Sequence, residues 1–233
     1  MRHCDPPNPA RRRCLAVLAA LGVGGWLGSR LPIALGSGGN DQLIASMRRL
    51  YGEQGVAKLQ QWMQLEAQLR SHSDNATKLR EINDFFNRHV LWTDDIEIKG
   101  VEDYWMTPLE TLGEGRGDCE DYTIAKYVAL RRLGIGDDRL RLIYVRARLG
   151  RSSEPIAHMV LGYFPAPNTE PLILDNIVGS IQPAARRTDL FPVFSFNSEG
   201  LWAGGSSQSR ADPLARLSRW RSVLERMRQQ GFD

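Results

Sequence analysis

The sequence predicts an α+β fold, with helices gathered before residue 136 and strands after residue 139. Three observations carry this. Apolar residues recur at helical spacing through the first part of the chain, β-branched runs bounded by Gly, Pro and Asn follow, and an amphipathic stretch comes last. Helices and strands that occupy separate stretches of sequence give α+β, whereas strict alternation would give a parallel α/β sheet. The 233 residues and 42% hydrophobic content suit one well-packed domain with an ordinary core.

The first 36 residues read apart from the rest. Arg11, Arg12 and Arg13 precede the apolar run from Cys14 to Trp26, which gives way to small residues and the polar segment Gly36 to Asn40. That order is a secretory signal peptide over residues 1–36, leaving a single domain over 37–233. As a membrane anchor the run is short and broken by glycine, since spanning takes about 20 mostly apolar residues. A retained anchor is the lesser alternative, and the arginines leave a twin-arginine export route open. The formal net charge is +3, and removing five arginines and one aspartate with the leader brings it to −1. A nucleic-acid protein would keep a basic stripe on its folded body, so nucleic acid is excluded as a partner. Cys4 and Cys14 also fall in the leader, and Cys119 is the one cysteine left in the mature chain. A lone thiol in an oxidising compartment is either a small buried hydrophobe or a reactive group, and its surroundings decide which.

In chain order, Asp41 to Leu50, Val56 to Leu69 and Ala76 to His89 read as helices from the spacing of their apolar residues, with Asn75 as N-cap of the third. The acidic stretch Thr93 to Asp103 reads as a loop. Thr107, Pro108 and Glu110 have the spacing of a capping box and start a short helix. Gly113 to Gly117 is a glycine-rich turn, and a helix follows with Cys119 in its first turn and Gly134 just past its end. Leu140 to Arg148, His158 to Phe164 and Pro171 to Ile177 are strands, and Pro192 to Phe196 adds a fourth. Pro213 to Gln229, with Leu214, Leu217, Trp220 and Met227 at helical spacing, reads as a helix packed on the body.

A cysteine at a helix N-terminus sits among unpaired N–H groups and the positive end of the dipole, which favour its thiolate. The Cys119 backbone N–H there serves as one oxyanion-hole donor, and the Trp105 indole is a candidate for the second. Of the histidines outside the leader, His72 and His89 have structural readings at helix ends. His158 opens a strand and completes a Cys/His pair as general base. Asp175 lies in the apolar strand PLILDNI, where a carboxylate needs a partner, and an imidazole N–H would supply it. Asn176 is an alternative orienter. Asp118, Glu120 and Asp121 crowd the thiol and would raise its pKa. They either complement the helix dipole or hold a hard cation with oxygen ligands.

GDCEDYTIAKY, with YWMTPLE before it and AHMVLGYF, PLILDNI and VFSFNSEGLW after it, resembles the bacterial transglutaminase-like cysteine peptidases, in particular the periplasmic LapG-type adhesin-processing proteases. The likeness runs from about Leu79 to Trp202. It implies a papain-like or transglutaminase-like core, with the cysteine helix packed on an antiparallel sheet, and catalytic roles for Cys119, His158 and Asp175. It also implies calcium bound at Asp118 and Glu120, with Asp121 a weaker inclusion. The implied substrate is a large surface adhesin, whose release favours biofilm dispersal. The implied partner is the periplasmic domain of an inner-membrane cyclic di-GMP receptor. A transglutaminase or amidase would use the same triad, and a catalytically dead periplasmic binding module is the non-enzymatic alternative.

Overall fold

The computed structural model describes residues 38–148, 150, 154–167, 169–204 and 211–232. The predicted signal peptide lies outside the described residues. Helix α1 (Gly38–Leu69) joins the two helices expected from the sequence, and the break between them is a kink at Gly52, whose φ of 64° suits glycine. In α2 (Asn75–His89) the cap is Asp74 rather than Asn75, because the Asp74 carboxylate accepts from both Ala76 N–H and Thr77 N–H.

The acidic stretch read as a loop contains a short helix, α3 (Asp95–Lys99), closed by left-handed Gly100. It lies between two short strands, β1 (Leu91–Trp92) and β2 (Arg116–Gly117), which pair in parallel. The capping box at Thr107 and Glu110 opens α4 (Pro108–Glu114) as its spacing predicts. Cys119 is the first residue of α5 (Cys119–Arg132), and Gly134 beyond its end has φ 84°.

The remaining strands are β3 (Leu140–Ala147), β4 (Ile156–Tyr163), β5 (Leu172–Leu174), β6 (Gln182–Pro183), β7 (Leu190–Phe196) and β8 (Leu201–Ala203). They form an antiparallel sheet in the order β6-β5-β4-β3-β7-β8. Two short helices close the chain, α6 (Pro213–Arg216) and α7 (Ser218–Gln230), where the sequence suggested one.

Alternation along the strands gives the sheet two faces. Leu142, Met159, Leu161, Leu174 and Phe196 pack with the helices into the main core, while Ile143, Val145, Val160 and Ile173 form a smaller cluster. Trp220 of α7 is fully buried and meets Phe196 edge-on at 5.5 Å, so the last helix packs on the body. α1 is tied to α5 by the Arg132 guanidinium, which holds both oxygens of Glu66 at 2.9–3.1 Å and lies over the Trp62 ring. The Glu66 side chain is only 2% exposed. Removing its partner leaves a buried carboxylate uncompensated, so Arg132→Met should cost about 3 kcal/mol. Equilibrium urea unfolding measures that loss.

Candidate active site

The start of α5 is fixed by a carboxylate three residues along. Asp121 is fully buried; its Oδ1 accepts Met106 N–H at 2.7 Å and its Oδ2 accepts Asp118 N–H at 3.1 Å. Gly117 makes the approach possible, because a Cβ there would come within 2.7 Å of Asp121 Oδ2. One turn on, the Thr123 hydroxyl shares its proton between the carbonyls of Cys119, at 2.8 Å, and Met159, at 3.0 Å. The helix start is thereby pinned to β4 beside His158.

Cys119 and His158 open on the same cleft, of about 1010 Å³. The thiol donates to Glu120 Oε2 at 2.9 Å and accepts from the Met159 N–H. Burial, then Glu120 and Asp118, push the Cys119 thiol well above its ordinary range.

His158 is 2% exposed, and its Nε2 donates to Asp175 Oδ1 at 2.9 Å. Asp175 lies just past the end of β5 rather than inside the strand. Its Oδ1 also accepts the Ile177 N–H at 3.0 Å, and its Oδ2 accepts Arg187 Nη2 at 2.7 Å. Burial opposes the carboxylate, but His158, the Ile177 N–H and Arg187 more than offset it and hold its carboxyl far below the usual range. Asn176, the alternative orienter, lines the cleft, while Asn87 of α2 donates to the Asp175 carbonyl at 3.0 Å and fixes the backbone there. Trp105, the candidate oxyanion donor, also lines the cleft, stacked on Phe196.

Sequence reasoning missed Arg187, which lies 12 residues beyond Asp175 and grips Asp189 with Nε and Nη2 as well. It also missed Lys126, fully buried in α5, whose ammonium burial pushes down to about 7 against the opposing fields of Asp175 and Asp84.

The acidic cluster is larger than the sequence suggested. Ligand oxygens of Asp95, Asp118 and Asp121 lie within 4.8 Å of one another, and so do those of Asp95, Asp103 and Glu120. Asp118 Oδ1 and Asp95 Oδ1 are buried without a hydrogen-bond partner among the described residues. Burial and the charges of Glu120, Asp121 and Asp95 push the Asp118 carboxyl up to about 10. Orphaned oxygens in a cluster of like charges fit a hard divalent cation. The only signal in the sequence for Asp95 and Asp103 was the acidity of the stretch between Thr93 and Asp103.

The family model of bacterial transglutaminase-like cysteine proteinases (BTLCP) matches residues 52–191. Among solved structures, EGTA-treated Legionella pneumophila LapG is 34% identical and superposes with a TM-score of 0.69, covering 80% of this chain and 96% of that one. Legionella pneumophila LapG in a second structure, at the same identity and coverage, gives 0.67. Its calcium-bound form, also 34% identical, gives 0.65 over 79% of this chain and 98% of that one. No curated protein matches the chain.

Arg187→Met removes one of the contacts that hold the Asp175 carboxyl low. A carboxylate with a depressed folded pKa gives stability that is complete above the unfolded value and is lost as pH falls toward the folded one. The variant should therefore lose this contribution at a higher pH than the wild type as the solution is acidified. Urea unfolding midpoints measured from neutral to acid pH check the shift.

Proposed function

The chain belongs to the bacterial transglutaminase-like cysteine proteinase family, and we propose that it is a periplasmic endopeptidase that releases a large surface adhesin by acylation on Cys119. The observation that carries this is the opening of Cys119 and His158 on one cleft, with Asp175 behind the imidazole at 2.9 Å. Cys119 Sγ attacks the scissile carbonyl carbon, and His158 takes the thiol proton and returns it to the leaving amine. Asp175 fixes the tautomer and steadies the imidazolium. The Cys119 N–H at the helix start donates to the oxyanion, with Trp105 beside it. Water then hydrolyses the thioester.

The thiol begins bonded to Glu120, so attack requires that carboxylate to let go. Asp95, Asp103, Asp118 and Glu120 would hold calcium, with Asp121 keeping its two backbone amides. Bound calcium supplies positive charge that cancels the carboxylates beside the thiol. That the structural relatives include calcium-bound and EGTA-treated forms of LapG supports this reading. Export through the segment 1–36, adhesin release favouring biofilm dispersal, and sequestration by the periplasmic domain of an inner-membrane cyclic di-GMP receptor complete the proposal. No helix among the described residues is long and apolar enough to cross a membrane.

Mass spectrometry of a candidate adhesin fragment tests the substrate and nucleophile together. The wild type should cut it at one site and Cys119→Ala, with an unchanged circular dichroism spectrum, should not; cleavage by the variant would remove Cys119 from the mechanism.

Calcium has its own test. Adding it should raise both the melting temperature and the rate of Cys119 alkylation by iodoacetamide at neutral pH, and chelation should reverse both. In Asp118→Asn both responses should weaken; if neither quantity responds to calcium in the wild type, the cluster is no cation site.

A further inference from the structure

Strand β4 has one edge that its neighbours leave open at the cleft. β3 pairs with it along its whole length, from Ile156 to Tyr163, whereas β5 pairs only with Leu161, Gly162 and Tyr163. In an antiparallel ladder the N–H and carbonyl of one residue point to the same side, and successive residues alternate. Two contacts fix the phase here. The Phe164 N–H meets the Arg139 carbonyl at 2.8 Å on the β3 side, and the Met159 carbonyl accepts the Thr123 hydroxyl at 3.0 Å on the other. The register runs unbroken along β4, so His158 and Val160 bond to β3 while Ala157, Met159, Leu161 and Tyr163 turn outward.

Most of these outward groups are occupied. Leu161 and Tyr163 face β5, and Met159 meets Thr123 and, through its N–H, the Cys119 sulfur. Ala157 is the exception: it is exposed, it lines the cleft with Cys119, and its N–H and carbonyl have no partner among the described residues. One pleat repeat, about 7 Å along the strand, separates it from Met159. A peptide laid along this edge carries its own donors and acceptors at the same spacing, so it meets both Ala157 groups while its next residues reach the sulfur.

The geometry points to the Ala157 main chain as a substrate-binding element, its N–H and carbonyl pairing with an extended peptide that adds a strand to β4 in the cleft. Its role as a substrate site rests on the peptidase reading; the pairing itself does not depend on acylation at Cys119. Recognition through the backbone is indifferent to side chains but needs an N–H from the peptide, so proline is excluded from the substrate position that faces Ala157.

The test tethers a peptide to the full chain. Acetyl-Ala-Ala-Cys-Ala-Ala-amide, joined to Cys119 by a disulfide, extends to both sides of the sulfur and offers little beyond main chain; the 2-mercaptoethanol adduct is the control. Hydrogen exchange followed by NMR should find the Ala157 amide unprotected in the control and slowed about tenfold or more in the peptide adduct. Methylating the peptide nitrogens one at a time should abolish that protection at one position. Ala157→Pro removes the N–H at an edge position outside the β3 ladder, where proline is tolerated. The variant should fold and cleave the adhesin fragment about three- to tenfold less efficiently, the loss of one hydrogen bond; should it fail to fold, the N-methyl series carries the same test from the peptide's side. Equal exchange at Ala157 in the two adducts overturns the inference, as does protection that every N-methyl peptide retains. Protection in the free protein that grows with its concentration also overturns it, giving the edge to a second copy. An adhesin fragment left uncut by the wild type, while the tethered peptide still protects Ala157, removes the peptidase reading and upholds the pairing.

Discussion

The active centre depends on the junction where the first turn of α5 meets β4. Thr123 spans the Cys119 and Met159 carbonyls, and the Met159 N–H points at the sulfur. Cys119 and His158 come from elements far apart in sequence, so their meeting must be fixed by contacts of this kind rather than by local chain geometry. Asp121 extends the junction to Met106, and the capping box after it fixes where α4 begins. Arg226 of α7 binds Glu110, Tyr104 and the Trp105 carbonyl, so the C-terminal helix also braces the segment that presents Trp105 to the cleft.

That dependence explains which features the sequence revealed. Features set by near neighbours were readable: the Thr107 capping box, the glycine after α5, the alternating runs of β3 and β4, and a cysteine placed at a helix start. Asp74 and Asn75 are both good caps by residue type, and only the bonds to Ala76 and Thr77 distinguish them. Arg187 gave no signal, because an arginine among arginines and alanines near a strand looks like a solvated charge until the fold turns it onto Asp175. Asp95 is similar; its partner is the Tyr104 N–H, and its closeness to Asp118 is a product of the β1–β2 pairing that flanks α3.

The sheet has two unlike faces. One face packs against α5 and gives the main core that positions the thiol, and the other is a thinner cluster beside a cavity that Arg187 lines. Asp175, past the end of β5 where pairing has stopped, is reached from both sides: by His158 Nε2 and by Arg187 Nη2. A strand interior could not provide this, since each side chain there commits to one face.

Magnitudes decide what the thiol needs. The positive end of a helix stabilises a nearby anion by about 0.3–1 kcal/mol, and about 2 kcal/mol in favourable partly buried settings. A single unit charge about 4 Å away opposes it by about 4 kcal/mol at an effective dielectric constant of 20. Cys119 has Glu120 Oε2 at 2.9 Å, so a charge there outweighs the dipole and pushes the thiol up. Placement at a helix start, the feature that singles out Cys119 in the sequence, is therefore insufficient to activate it here. A nucleophile in this setting requires countercharge from outside the helix. The imidazolium of His158 can supply it on one side, and a cation among Asp95, Asp103, Asp118 and Glu120 on the other. With calcium bound as proposed, reactivity of the thiol would be conditional on the occupancy of the acidic cluster.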